Sequence, residues 1–197
     1  SDVCSSDLPL RPGQTSFWQN YEKFFVSQQK SFFGAAATKD NDWAYDYLPK
    51  FDTSYDTLKM VDMMAAGQIN GLFCQGLNIL LAAPNKDKVA RGLAKLKYLV
   101  VIDPLETETA RFWENHGEYN NVDPKAIQTE VIQLPASTYA EEEGSATNSS
   151  RVIMWHWKAV DGPGESKSDS EIVSLLRGKL AALYAKEGGT YPDPIVN

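Results

Sequence analysis

The side chains best suited to chemistry fall in two short stretches. One is Cys74-Gln75-Gly76-Leu77-Asn78 and the other is Asp103-Pro104-Leu105-Glu106-Thr107-Glu108-Thr109. Gly76 would let a ligand approach the backbone closely, and Asn78 adds a donor and an acceptor. Taken alone, this turn is a weaker signal than a full GxGxxG phosphate loop and equally describes an ordinary strand-to-helix connection. Asp103 stands at the end of the next apolar run, where dinucleotide folds place an acid against ribose hydroxyls. A carboxylate there also accepts from the N–H groups of a guanine, or serves only as a turn residue before Pro104. Thr107, Glu108 and Thr109 offer hydroxyls and backbone N–H groups at a helix start, a natural anion or base-edge contact. Glu108 would also complement the helix dipole with no ligand present.

These turns need elements that aim them at one place. Ile69–Cys74 reads as a strand after a helix over 54–66, with Leu58, Val61, Met64 and Ala65 inward and Gly67 as its C-cap. Asn85 caps a helix through Leu96, with Val89, Leu93 and Leu96 on the buried side. The run from Tyr98 to Ile102 is continuously apolar, the mark of a strand covered on both faces. Two such strands around a helix make a parallel βαβ unit, and ligands settle outside the carboxyl ends of its strands. A second helix is expected from Thr107. A polar insertion follows from His116 to Pro124, then strands over Thr129–Leu134 and Val152–Trp157, separated by an acidic loop over 140–150. Ser168 with Glu171 forms a capping box that opens a C-terminal helix, with Ile172, Leu175, Leu176, Leu180, Leu183 and Tyr184 inward. The fold class is therefore α/β, a Rossmann-like parallel sheet with flanking helices.

Upstream, Thr15 to Phe33 reads as an amphipathic helix whose face carries Phe17, Trp18, Tyr21, Phe24, Phe25, Gln28 and Phe32 and ends at Gly34. Such a face packs on the rest of a larger enzyme or meets a second subunit. Asp40 to Asp52 reads as a packed irregular loop. The Met-rich run from Lys59 to Met64 reads as core filling rather than a ligand set.

With 197 residues, 43% hydrophobic and 23% charged, the chain has ordinary globular composition and can bury a real core. A net charge of −7 offers no basic field for phosphate backbones, which argues against a nucleic-acid partner. No apolar run approaches the roughly 20 residues needed to span a bilayer. Residues 1–8 (SDVCSSDL) match one translated frame of a common sequencing-adapter end and are expected to be an artefact. Without Cys4, Cys74 is the remaining cysteine, and with two histidines neither a zinc site nor a Cys/His nucleophile pair is supported. His156, flanked by Trp155 and Trp157, reads as a structural histidine sooner than a general base. His116 has no obvious partner. The Glu141-Glu142-Glu143 run reads as a solvated loop, with contact to a cofactor edge as its alternative. The chain itself reads as an interior slice of a longer open reading frame.

INGLFCQGLN, LKYLVVIDPLETETARFW, TEVIQLP, AEEEGSATNSSR and WHWK, in that order, resemble the catalytic (major) subunits of respiratory formate dehydrogenases. These belong to the molybdopterin oxidoreductase family related to dimethyl sulfoxide reductase, and the resemblance runs from about Pro9 to the end. It implies part of a larger multidomain enzyme. An aromatic helix and irregular segment would occupy 9–53, a segment binding molybdopterin guanine dinucleotide 54–160, and a linker with an amphipathic helix 161–197. By resemblance, Gln75, Gly76 and Asn78 match a cofactor-contacting turn, and Asp103, Thr107 and Glu108 match the turn that receives the guanosine end. With their neighbours Cys74 and Thr109 they form the expected cofactor-binding set. No catalytic or metal-ligating residue is expected here, and Cys74 does not match the metal-ligand position.

The resemblance also implies bis-MGD with molybdenum or tungsten, and 4Fe-4S clusters elsewhere in the parent chain. It implies formate as substrate, an iron–sulfur beta subunit and a membrane cytochrome b subunit as partners, and a periplasmic location; the fragment alone would be inactive. Gly144, Ser145, Asn148 and Arg151 match a family stretch that is partly structural. Ile79 stands where the family usually has proline, a change expected to loosen the first turn. Phe112-Trp113 replaces a common Ala-Asp pair, and Ser149-Ser150 a common Ser-Gly. The competing readings are another molybdopterin oxidoreductase, of nitrate or thiosulfate reductase type, and a nucleotide-binding α/β module without chemistry.

Overall fold

A computed structural model describes residues 20–48, 55–114, 121–150 and 152–189. Of these, 55–176 form one compact unit, while 20–48 and 177–189 belong to a second.

The larger unit is built on a parallel sheet of β1 (Gly71–Gln75), β2 (Tyr98–Asp103) and β3 (Glu130–Pro135), in that spatial order. The register sets Cys74 beside Val101 and Gln133, and Gln75 beside Ile102 and Leu134, so all three strands end at one edge. Period-two alternation sends Leu72, Cys74, Leu99, Val101 and Val131 to one face, against α2 (Thr57–Ala65), the single turn α3 (Ile79–Ala82) and α4 (Lys86–Leu93). Ile79, Leu80, Val89, Leu93, Leu99 and Phe112 are all sealed from solvent there. Each such side chain contributes about 1.5–3 kcal/mol of transfer free energy.

Local chemistry explains where these elements start and stop. Asp56 caps α2 by accepting from the Lys59 N–H at 2.8 Å. Gly67, at φ +74°, ends it, with Gln68 N–H bonded to Met63 O at 2.9 Å. Asn85 caps α4 by accepting from the Lys88 N–H at 3.1 Å. Gly92 lets α4 lie directly on α2, since a Cβ there would sit 3.0 Å from the Met64 Cβ. Lys88 and Asp62 pair across the same two helices.

Among the described residues the other sheet face meets the start of α5 (Asp169–Glu187): Val100, Ile102, Leu134 and Ala136 cluster with Ile172, and Phe73 on β1 stays 63% exposed. The Ser168–Glu171 capping box forms as expected. Beyond β3 the chain makes an antiparallel hairpin, β4 (Gly144–Thr147) with β5 (Ile153–His156).

Several elements differ from the sequence expectation. Gly144 to Thr147, read as loop, form β4, because pairing with His156 to Ile153 rather than apolar alternation makes the strand. The helix expected from Thr107 is a run of turns over 108–114, with one i,i−4 bond, Arg111 N–H to Thr107 O at 3.2 Å. The α4 helix stops at Leu93, yet Leu96 is still buried, through a turn bonded Leu96 N–H to Leu93 O. Leu58 is exposed, and within the larger unit Ile172 is buried while Leu175 and Leu176 are exposed.

In the second unit, α1 (Tyr21–Phe33) buries Gln29 and Phe33, one position off the expected face that included Gln28. Gln29 Nε2 donates to Ala44 O at 3.2 Å, and Phe33 meets Tyr47 edge-on with ring centroids 5.3 Å apart. Gly34, at φ +53°, ends the helix as expected, while Phe24 is half exposed. The expected irregular loop is a 3-10 segment, Lys39–Tyr47, with left-handed residues at Asp42, Trp43 and Ala44. Leu180 and Leu183, expected inward, are exposed. The expectations for Thr15 to Trp18, His116, Arg151 and residues 1–8 lie outside the described residues.

Candidate functional site

The site is assembled by the ends of β1 and β2. After β1 the chain turns at Gly76, whose φ of +60° is left-handed and whose N–H donates to Ile102 O at 2.9 Å. A Cβ placed on Gly76 would meet nothing within 4 Å, so the turn opens onto free space on the side a ligand would approach. The next two residues lead into α3, whose Ile79 and Leu80 are fully buried. Ile79, which stands where the family usually has proline, therefore ties the end of the turn to the core.

After β2, Asp103 Oδ1 accepts from the Leu105 N–H at 3.1 Å, an Asx turn that reverses the chain at Pro104. The backbone of Asp103 is held by β3, its carbonyl accepting from Ala136 N–H at 3.2 Å. One carboxylate oxygen thus shapes the turn, as the plainer reading of Asp103 held. Thr107 has a buried hydroxyl oxygen with no hydrogen-bond partner among the described residues.

The two turns are bonded to each other through side chains. Asn78 Nδ2 donates to Glu108 Oε2 at 2.6 Å, and Thr109 Oγ1 donates to Asn78 Oδ1 at 2.8 Å. Thr109, fully buried, also accepts the Leu80 N–H at 3.1 Å. The Glu108 carboxyl is held below its ordinary range, first by its own backbone N–H, then by the Asn78 amide, with the Lys86 charge adding in the same direction. Arg111 closes the second turn by pairing with Glu106 at 3.1 Å and with Glu114.

Of the eight expected residues, Asn78, Glu108 and Thr109 meet in this hydrogen-bonded junction, and Gly76 precedes it, bonded through its N–H to Ile102 O. Gln75 lies exposed at the end of β1, and Asp103 and Thr107 lie on the second turn. Cys74 is different. Its side chain points into the core at 3% exposure, and burial pushes the thiol up to about 11, so it stays protonated and offers a ligand only its backbone.

Sequence reasoning missed a cavity of about 410 Å³ beyond the carboxyl end of β3, at the same sheet edge. Ser137, Glu141, Lys158, Asp161, Ser166 and Glu171 line it, with Lys158 paired to Asp161 at 2.6 Å. Two local sequence signals touch it, the Glu141-Glu142-Glu143 run and the Ser168–Glu171 capping box, but the convergence of residues from separate loops is not a local feature. His156 is on β5, its ring stacked on Tyr139 with centroids 3.9 Å apart, and its Nδ1 is buried without a hydrogen-bond partner among the described residues. Among the described residues no three His, Cys, Asp or Glu side chains gather to hold a metal ion, and no helix is long and apolar enough to cross a membrane.

An open glycine turn and an acid-bearing turn lie at the carboxyl ends of adjacent parallel strands, the end at which open α/β sheets place their ligand crevice. The molybdopterin oxidoreductase family model matches residues 121–179. The major subunit of formate dehydrogenase-O from Escherichia coli is 52% identical over 99% of this chain, and the nitrate-inducible formate dehydrogenase major subunit of the same organism is 53% identical over 93%. The formate dehydrogenase major subunit of Haemophilus influenzae is 51% identical over 90%. The chain belongs to the molybdopterin oxidoreductase family, whose members use a molybdopterin cofactor. It spans 19%, 18% and 17% of the lengths of these three relatives.

Proposed function

We propose that this chain is the part of a formate dehydrogenase catalytic subunit that holds one molybdopterin guanine dinucleotide of a bis-MGD centre, with molybdenum or tungsten. When bound, that group supplies the metal at which formate is oxidised to carbon dioxide. By this reading two electrons leave through 4Fe-4S clusters in the rest of the parent chain. An iron–sulfur beta subunit and a membrane cytochrome b subunit then carry them towards quinone, on the periplasmic side. The residues of this chain bind and orient; none of them moves a proton or an electron.

The observation that carries the reading is a buried Thr107 hydroxyl with no hydrogen-bond partner among the described residues, on the turn that follows β2, while the turn that follows β1 carries the open left-handed Gly76. Native structures satisfy nearly all buried polar atoms, so a hydroxyl without a partner at a strand end marks a place where a ligand oxygen or N–H belongs. Gly76 leaves room for the backbone to approach a phosphate, Asn78 contributes an amide, and Asp103 contributes an acceptor for ribose or guanine. The similarity to formate dehydrogenase major subunits supports formate as the parent substrate.

The test uses the full-length subunit carrying Thr107→Val or Gly76→Val. Guanine nucleotide released per polypeptide on acid hydrolysis is expected to fall well below wild type in both, while the iron content of the clusters is unchanged. Full nucleotide content in both variants would overturn the reading.

A further inference from the structure

The Asn78–Glu108–Thr109 junction goes further than a set of three contacts to one ligand. Glu108, as a carboxylate, can only accept, so the Asn78 group that faces it must be the NH2. The opposite side of the same amide, Oδ1, then faces Thr109 and must receive the Thr109 hydroxyl proton. That leaves the Thr109 oxygen free to accept the Leu80 N–H, which it does at 3.1 Å. Every donor in this chain has one acceptor, from the half-exposed Glu108 to a fully buried backbone N–H at the start of α3. No member can reverse without placing two acceptors or two donors against each other.

Asn78 is only half buried, and this chain uses one of its two N–H bonds and one of its two carbonyl lone pairs. We propose that Glu108 and Thr109 are positioning residues, which hold the Asn78 amide in a single orientation so that its second N–H is presented to an oxygen of the bound dinucleotide. The inference rests on the cofactor-binding reading above, and it reassigns two residues of the expected set. Asn78 touches the ligand, while Glu108 and Thr109 act through it. The bonding fits this division of roles, because the Thr109 hydroxyl is already committed to Asn78 Oδ1 and the Leu80 N–H, whereas the buried Thr107 hydroxyl is not. A pinned amide also spares the ligand the cost of ordering it on binding.

The test is a double-mutant cycle in the full-length holoenzyme, following the rate at which guanine nucleotide is lost from purified protein on dilution. Asn78→Ala is expected to speed loss about tenfold, the scale of one charge-assisted or buried hydrogen bond. Glu108→Ala is expected to speed loss by a similar factor in the wild-type background and to have no further effect when Asn78 is already Ala. Thr109→Val, which keeps the side-chain shape, is expected to behave like Glu108→Ala, and Thr109→Ser, which keeps the hydroxyl, to restore wild-type retention. If Glu108→Ala speeds loss equally in both backgrounds, Glu108 contacts the cofactor directly and the positioning role is overturned, while the cofactor reading stands. If Asn78→Ala leaves the rate unchanged, the positioning role is overturned, and the cofactor reading is decided separately by the Thr107 and Gly76 variants. The Asn78 and Glu108 variants alone complete the cycle, so it decides the outcome even where a Thr109 variant does not fold.

Discussion

The β1–α4–β2 crossover and the β4–β5 hairpin lie in the same compact unit and use similar apolar residues, yet they end in opposite environments. In the crossover, Leu80, Leu93, Leu99 and Phe112 are sealed in one cluster. In the hairpin, Ile153 and Trp155 are largely exposed, and Trp157 just beyond it is 75% exposed. Apolar content does not decide burial; what decides it is whether the chain supplies an opposing layer. The crossover brings its own, in α2 and α4, whereas a two-stranded hairpin has none and is marginal by itself. The cofactor-site turns belong to the first kind of region, which is why their side chains can be held in one geometry.

Substitutions across the two regions test this contrast. Phe112→Ala removes a fully buried ring from the crossover cluster and is expected to cost about 3–5 kcal/mol in urea unfolding. Gly92→Val drives a side chain into the Met64 Cβ and the Ala65 backbone, 3.0 and 3.3 Å from its own Cβ, and is expected to cost about 1–3 kcal/mol in the same assay.

A smaller effect concerns pH. The Glu108 carboxyl titrates below its ordinary value of 4.5 in the folded protein, so its stabilisation is fully present above pH 4.5. That stabilisation is lost as pH falls through the lowered folded value, because the folded state must then take up the proton that the unfolded state already holds. In acid titrations followed by near-ultraviolet circular dichroism, Glu108→Gln is expected to lack this part of the acid dependence, so its difference from wild type shrinks below pH 4. The smallest effect is expected at the hairpin: Trp157→Ser should change the unfolding free energy by less than about 0.5 kcal/mol. A loss comparable to that of Phe112→Ala would show that the hairpin is as well covered as the crossover, and would erase the contrast.

The features legible in the sequence are those whose causes lie within a few residues. Gly67 at the end of α2, the Asn85 cap, the Ser168–Glu171 box and the apolar run of β2 all appear where the spacing places them. The three-strand parallel sheet follows from those elements, and Cys74 to Asn78 and Asp103 to Thr109 do fall at one sheet edge. Periodicity failed where it was asked about covering. It shows which face of a helix is apolar but not whether anything packs on it, so Leu58 and Leu175 were expected inward and are exposed. It failed at β4 because Gly-Ser-Ala-Thr has no apolar alternation and becomes a strand only through its partner. The bonds from Asn78 to Glu108 and Thr109 span 30 and 31 positions, and no local pattern announces them. Cys74 was counted with the ligand set for its place in the chain, but strand alternation turns its thiol to the core.

The most direct test is a structure of the full-length subunit with its cofactor bound. The expected result is a dinucleotide oxygen within about 3 Å of both Thr107 Oγ1 and Asn78 Nδ2, with Glu108 and Thr109 still bonded to Asn78 and not to the ligand. A cofactor that runs elsewhere, with these two turns covered by another part of the protein, would contradict it.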